Sequence, residues 1–147
     1  MLEGLGRFRI EMEIIKYRFQ QHGDDRGQLV ALEENKDIPF EIKRVYYMYD
    51  TVKGVRRGHH AHRCLQQILI AIHGSCKIHL DNGTETAEVL LDKPYEGLYI
   101  SNDMWREMYD FSEDAVLMVL ASEYYDETDY IRDYNEYLSY IKKEVEK

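Results

Sequence analysis

Seven short apolar or alternating runs, with turn residues rather than helix-length segments between them, constrain this chain more than any other feature. They are QLVALE (28–33), RVYYMYD (44–50), QQILIAIHG (66–74), SCKIHLDNG (75–83), TAEVLLDKP (86–94), GLYISND (97–103) and AVLMVLAS (115–122). Rich in Val, Ile, Leu and Tyr and too short for globular helices, they read as strands. Asn82-Gly83, between KIHL and AEVLL, is a strong hairpin signal, and Gly74-Ser75 is expected to turn the preceding strand into it. Strands at this spacing make a sandwich or a closed barrel. From Asp129 onward, Ile131, Tyr134, Leu138 and Ile141 fall on one helical face and lysines gather at the end, which predicts one helix over about 129–143. The expected fold class is all-β with a short C-terminal helix, and 147 residues suit one domain. The aromatic tail YYDETDYIRDYNEYLSY reads as core residues at helical spacing.

Charge narrows the partners. A formal net charge of −9 argues against nonspecific binding to nucleic acid or to an anionic membrane, so any anionic ligand needs a local basic patch. No apolar run approaches the roughly 20 residues needed to span a bilayer. Cys64 and Cys76 lack the number and spacing of a disulfide framework or zinc knuckle, which predicts a soluble protein in reducing cytoplasm.

The basic patch is GVRRGHHAHRCLQQ, residues 54–67. In an extended strand successive side chains alternate, so His60 and His62 share one face while Ala61 and Arg63 take the other. Two neighbouring imidazoles fit a metal site, an acid/base pair or an exposed polar edge. Gly54, His60, His62, Gln67 and Gly74 have the spacing of the first cupin motif, in which two histidines and a Glu bind metal with a later His. Here Gln67 replaces the Glu, and Met108 lies about where the later His would fall. A neutral amide is a poor ligand for a divalent ion. The expectation is therefore no metal, with imidazoles of ordinary pKa near 6.5 free to move protons.

Four stretches taken together, KRVYYMYD, RRGHHAHRCLQQILIAIHGSCKIHLDNG, GLYISNDMWREM and YYDETDYIRDY, resemble the WxcM-like/FdtA-type cupins, which are dTDP-4-keto-6-deoxyglucose 3,4-ketoisomerases of bacterial glycan biosynthesis. The resemblance runs over roughly residues 7–140. It implies a cupin jelly roll, no metal or other cofactor, a dTDP-linked keto-sugar substrate and a homodimer that exchanges N-terminal strands. It places catalysis at His60 and His62, with Tyr46 as a donor nearby. Arg44 shares the parity of Tyr46, and with Arg57 it is suited to a diphosphate, which a guanidinium binds bidentately. Arg26 and Arg106 match positions near the hexose that vary with the C4 configuration of the product. Gln67 and Trp105 complete the expected substrate-binding set, whereas His59 is expected to face away. A related keto-sugar epimerase, a non-catalytic sugar-nucleotide-binding cupin and a metal-dependent cupin oxygenase are the competing readings.

Overall fold

A computed structural model describes residues 12–146. Its strands are β1 (Ile15–Arg18), β2 (His22–Asp24), β3 (Gly27–Leu29), β4 (Arg44–Met48), β5 (Arg57–His62), β6 (Gln67–His73), β7 (Cys76–Asp81), β8 (Thr86–Leu91), β9 (Glu96–Ile100), β10 (Trp105–Tyr109), β11 (Val116–Ala121) and β12 (Tyr130–Ile131), followed by helix α1 (Tyr134–Val145). Two five-stranded sheets form, ordered β1-β9-β6-β11-β4 and β12-β5-β10-β7-β8, with β2 and β3 as a separate hairpin. The strands pair antiparallel throughout both sheets.

Alternation explains how the sheets pack. Leu69, Ala71, Leu98, Ile100, Leu117 and Val119 from one sheet meet Ile78, Leu80, Val89, Leu91 and Met108 from the other in one buried cluster. This is the all-β sandwich that the strand pattern and the jelly-roll resemblance predict. Ile68, Ile70 and Leu120 point outward from the first sheet and are covered by Phe19, Ile38 and Phe40. Ala61 and Trp105 point outward from the second and are covered by Ile131 and Tyr137.

The Asn82-Gly83 signal does make a hairpin between β7 and β8, closed over four residues since Asp81 pairs with Thr86. Asn82 Oδ1 accepts from the Thr84 and Glu85 amides, and Gly83 takes φ +98, where a Cβ would be strained.

Three expectations are corrected. Only Gln28 and Leu29 of the run 28–33 lie in a strand, and Val30 and Leu32 instead pack on the outer apolar cluster. Short strands β1, β2, β10 and β12 had no clear run of their own in the pattern. The helix begins at Tyr134 rather than near 129, because Asp133 caps it by accepting from the Glu136 amide. Residues Glu127–Asp129 form a single 3₁₀ turn capped by Asp126, and Tyr130 and Ile131 then pair with His62 and Ala61. The exchanged N-terminal strands of the expected dimer fall partly on residues 1–11, which lie outside the described residues. The first described strand, β1, pairs with β9 of its own chain.

Candidate active site

At one end the space between the sheets turns polar, opening as a cavity of about 330 Å³ lined in part by Arg44, Tyr46, Arg57, His60, Met108 and Tyr130. Arg44, Tyr46 and Met48 reach it from alternate positions of β4, as their parity requires. Met108, where a metal cupin would carry its last histidine, is a lining side chain.

His60 and His62 come from β5 onto the inner face, their rings edge to face with centroids 4.8 Å apart. Arg57 reaches the same face despite its odd spacing from His60. A bulge achieves this: Arg57 pairs with Met108 and Gly58 with Glu107, His60 pairs with Arg106, and His59 is the extra residue at φ +54. Gly58, at φ +91, comes so close to β10 that a Cβ would stand 3.0 Å from the Arg106 carbonyl oxygen. His59 is thrown to the outside, where it is 3.7 Å from Glu107.

Each imidazole is held by a different partner. His60 Nδ1 is 3.0 Å from the Gly58 carbonyl oxygen, so this nitrogen carries the proton and donates. His62 Nδ1 is 3.1 Å from Asp129 Oδ2, and in the neutral ring it likewise donates. Both Nε2 atoms are then acceptors, and both are buried with no hydrogen-bond partner among the described residues. Burial first, and the Arg106 charge second, push His60 down to about 3 and His62 to about 2. Asp129 opposes this at His62, but burial and the guanidiniums of Arg106, Arg44 and Arg132 outweigh it. Both imidazoles are therefore neutral at physiological pH.

Arg106 is fully buried beside them. It donates to the Met104 carbonyl at 3.1 and 2.9 Å and to Gln67 Oε1, all neutral acceptors. Burial lowers it to about 10, which leaves it charged at neutral pH. Gln67 passes the chain on by donating from Nε2 to the Tyr46 hydroxyl at 2.8 Å. Burial raises the Tyr46 pKa, so the phenol keeps its proton and can donate it onward. An amide at position 67 thus bridges a cation and a phenol, a contact for which it has both donor and acceptor. Among the described residues no three His, Cys, Asp or Glu side chains come together to hold a metal ion.

Arg44 packs against the rings of Tyr46 and Tyr125, at 5.2 and 5.5 Å, and its buried Nε and Nη2 lack partners among the described residues. A guanidinium with these donors directed at the cavity is suited to an anion.

Two expected site residues lie elsewhere. Arg26 sits on the β2–β3 hairpin with its side chain 88% exposed, paired with Asp24 at 2.6 Å across the turn. Trp105 alternates with Arg106 and so faces the helix, where it packs on Tyr134 and Tyr137 and donates to Glu107 at 2.9 Å. Conversely, Tyr125, Tyr130 and Arg132 line the cavity, and Asp129 stands behind His62. Helical periodicity concealed them. The caps at Asp126 and Asp133, which break that periodicity into a turn and a later helix, were the available signal.

The family profile described as FdtA, WxcM-like, C-terminal matches residues 12–142. A curated relative, the TDP-4-oxo-6-deoxy-alpha-D-glucose-3,4-oxoisomerase of Aneurinibacillus thermoaerophilus, is 54% identical over 132 residues, which are 90% of this chain and 95% of the relative. A solved 3,4-ketoisomerase from Helicobacter canadensis is 48% identical with a TM-score of 0.87, over 90% of this chain and 99% of that one. A variant of the 3,4-ketoisomerase QdtA from Thermoanaerobacterium thermosaccharolyticum, solved in complex with TDP-4-keto-6-deoxyglucose, is also 48% identical with a TM-score of 0.87, over 88% and 94% of the two chains.

Proposed function

The chain belongs to the FdtA, WxcM-like C-terminal family, and from that premise we propose that it is a 3,4-ketoisomerase acting on dTDP-4-keto-6-deoxy-D-glucose. The observation that carries the mechanism is the pair of neutral imidazoles whose Nε2 atoms are buried, without a hydrogen-bond partner among the described residues, and next to the Arg106 guanidinium.

The reaction is an internal redox exchange in which the C3 alcohol is oxidised and the C4 ketone is reduced. A base removes the C3 proton, the electron pair forms an enediolate with its charge on O4, and the same base, after its proton has exchanged with solvent, delivers a proton to C4. The O3 proton passes to O4. His60, which lines the cavity, is the base on carbon. His62, fully buried behind it, moves the proton between the oxygens. Positive charge from Arg106 and the Tyr46 hydroxyl stabilise the enediolate, where a charge preorganised out of water acts most strongly. Arg44 and Arg57 take the diphosphate.

In the cell, the 3-keto sugar nucleotide supplies unusual deoxysugars for bacterial surface glycans. A cytoplasmic homodimer with exchanged N-terminal strands is the assembly proposed from the family resemblance.

The test is to incubate the protein with dTDP-4-keto-6-deoxyglucose in D₂O and follow the sugar carbons by NMR. A 3-keto product with solvent hydrogen at C4 is expected. Retention of the 4-ketone with exchange at C3 or C5 would make it an epimerase, and binding without exchange would make it a binding module.

A further inference from the structure

We infer that Asp129 is a positioning residue that sets the tautomer of His62, so that its Nε2 lone pair faces the reacting sugar. The inference rests on the isomerase reading for its kinetic consequence, though not for its structural one.

Three bonds lock Asp129 to the end of β5. Its carbonyl oxygen accepts from the Arg63 amide at 3.0 Å, its Oδ1 from the Cys64 amide at 2.8 Å, and its Oδ2 from His62 Nδ1 at 3.1 Å. A carboxylate only accepts, so the nitrogen facing it must carry hydrogen. The second bond makes the arrangement selective, because the Cys64 N–H holds Oδ1 and so turns Oδ2 toward His62. When His62 becomes an imidazolium during turnover, the same carboxylate stabilises it. His60 has no such support, since its Nδ1 is held by the neutral Gly58 carbonyl. The two histidines are therefore unequal by construction.

This makes Asp129→Asn informative. An amide has one oxygen, and the Cys64 amide requires it. The NH₂ group then faces His62 Nδ1, which must accept, so the ring proton moves to Nε2 and the lone pair is lost from the site. Turning the amide round instead would set its NH₂ against the Cys64 N–H, donor against donor.

The experiment compares wild type with Asp129→Asn by ¹⁵N NMR of the histidine rings and by steady-state kinetics. The expected result is Nδ1-protonated His62 in the wild type, Nε2-protonated His62 in the variant, and a fall in kcat of about 10²- to 10⁴-fold with KM within about threefold. Wild-type kcat in the variant, or an unchanged Nδ1 tautomer despite lost activity, would overturn the inference. The wild-type spectrum tests it without any variant: an Nε2-protonated His62 there would refute it even if Asp129→Asn did not fold. Should the wild type fail to isomerise the sugar nucleotide, the functional reading falls, while the tautomer result still decides the role of Asp129.

Discussion

The sheet that carries β5, β10, β7 and β8 holds similar residue types on its two faces in opposite states. On the outer face, Glu107 meets Arg56 at 3.0 Å, His59 at 3.7 Å and the Trp105 indole at 2.9 Å. Next to it Glu88 accepts from His79 and from Tyr109, and Arg56 lies 4.0 Å over the Tyr109 ring. Each of these charged groups has a partner in a solvated setting. On the inner face His60, His62 and Arg106 are buried, the imidazole Nε2 atoms have no partner among the described residues, and Arg106 bonds to neutral acceptors. Pairing at the surface contributes little, about 0–1 kcal/mol per ion pair. Burying polar atoms unpaired costs free energy, about 1–3 kcal/mol for each on mutational scales, and such a cost persists where a ligand will meet those atoms. The contrast supports the proposed site on the inner face through burial and pairing as well as through residue type.

That contrast is sharpest in turnover. His60→Asn or His62→Asn should lower kcat by about 10²- to 10⁴-fold, whereas His79→Asn on the outer face should leave it within about twofold. Exchange of the C3 hydrogen with D₂O should vanish in His60→Asn and persist slowly in His62→Asn. Equal, near-wild-type rates in both variants would reduce the inner pair to a structural feature.

Substrate binding comes next. Arg44→Ala should raise KM about 10- to 100-fold with a smaller change in kcat, because a diphosphate contact is nearly the same in ground and transition states. A collapsed kcat at constant KM, from initial rates over a range of substrate, would give Arg44 a role in the chemistry instead.

The buried histidines also leave a mark on stability. Their folded pKa values, about 3 and about 2, lie below the ordinary 6.5 of an unfolded chain. As pH falls through 6.5 the unfolded state takes up protons that the folded state refuses, so stability is greatest above 6.5 and declines toward pH 3. The slope is at most about 1.4 kcal/mol per pH unit for each histidine. Urea unfolding at pH 7, 6 and 5 should show this decline, with a shallower slope in His62→Asn. An identical slope in the variant would mean that His62 is protonated in the folded protein.

The smallest effect belongs to the outer face. Glu107→Gln removes a charge and leaves one acceptor oxygen where Arg56 and Trp105 each had their own, so thermal unfolding should report a loss of about 1 kcal/mol for the one bond given up and kcat should be unaltered. A large loss of activity would show that the two faces are coupled.

Much of the site was legible along the chain because alternation is a property of adjacent residues in extended backbone. Arg44 with Tyr46, and His60 with His62, were correctly paired by parity: Arg44, Tyr46 and His60 line the same polar space, and His62 packs against His60 behind it. Gln67, read as a lost metal ligand, proved to be the link between Arg106 and Tyr46. Strand runs and the Asn82-Gly83 turn likewise located the hairpin, though not its four-residue closure.

Parity along one strand carries no information about its neighbour. Arg57 joins His60 only because Gly58 lets β5 bulge against β10, a contact between residues some 50 positions apart in the chain. Trp105 turned out to be helix-side core, and Arg26 an exposed turn residue held by Asp24. Asp129 reaches His62 across 67 positions, after capped turns have replaced the helix that periodicity suggested. Local backbone geometry decides which way a side chain points relative to its neighbours. Which distant group it then meets depends on the path of the whole chain, and that path is settled by packing.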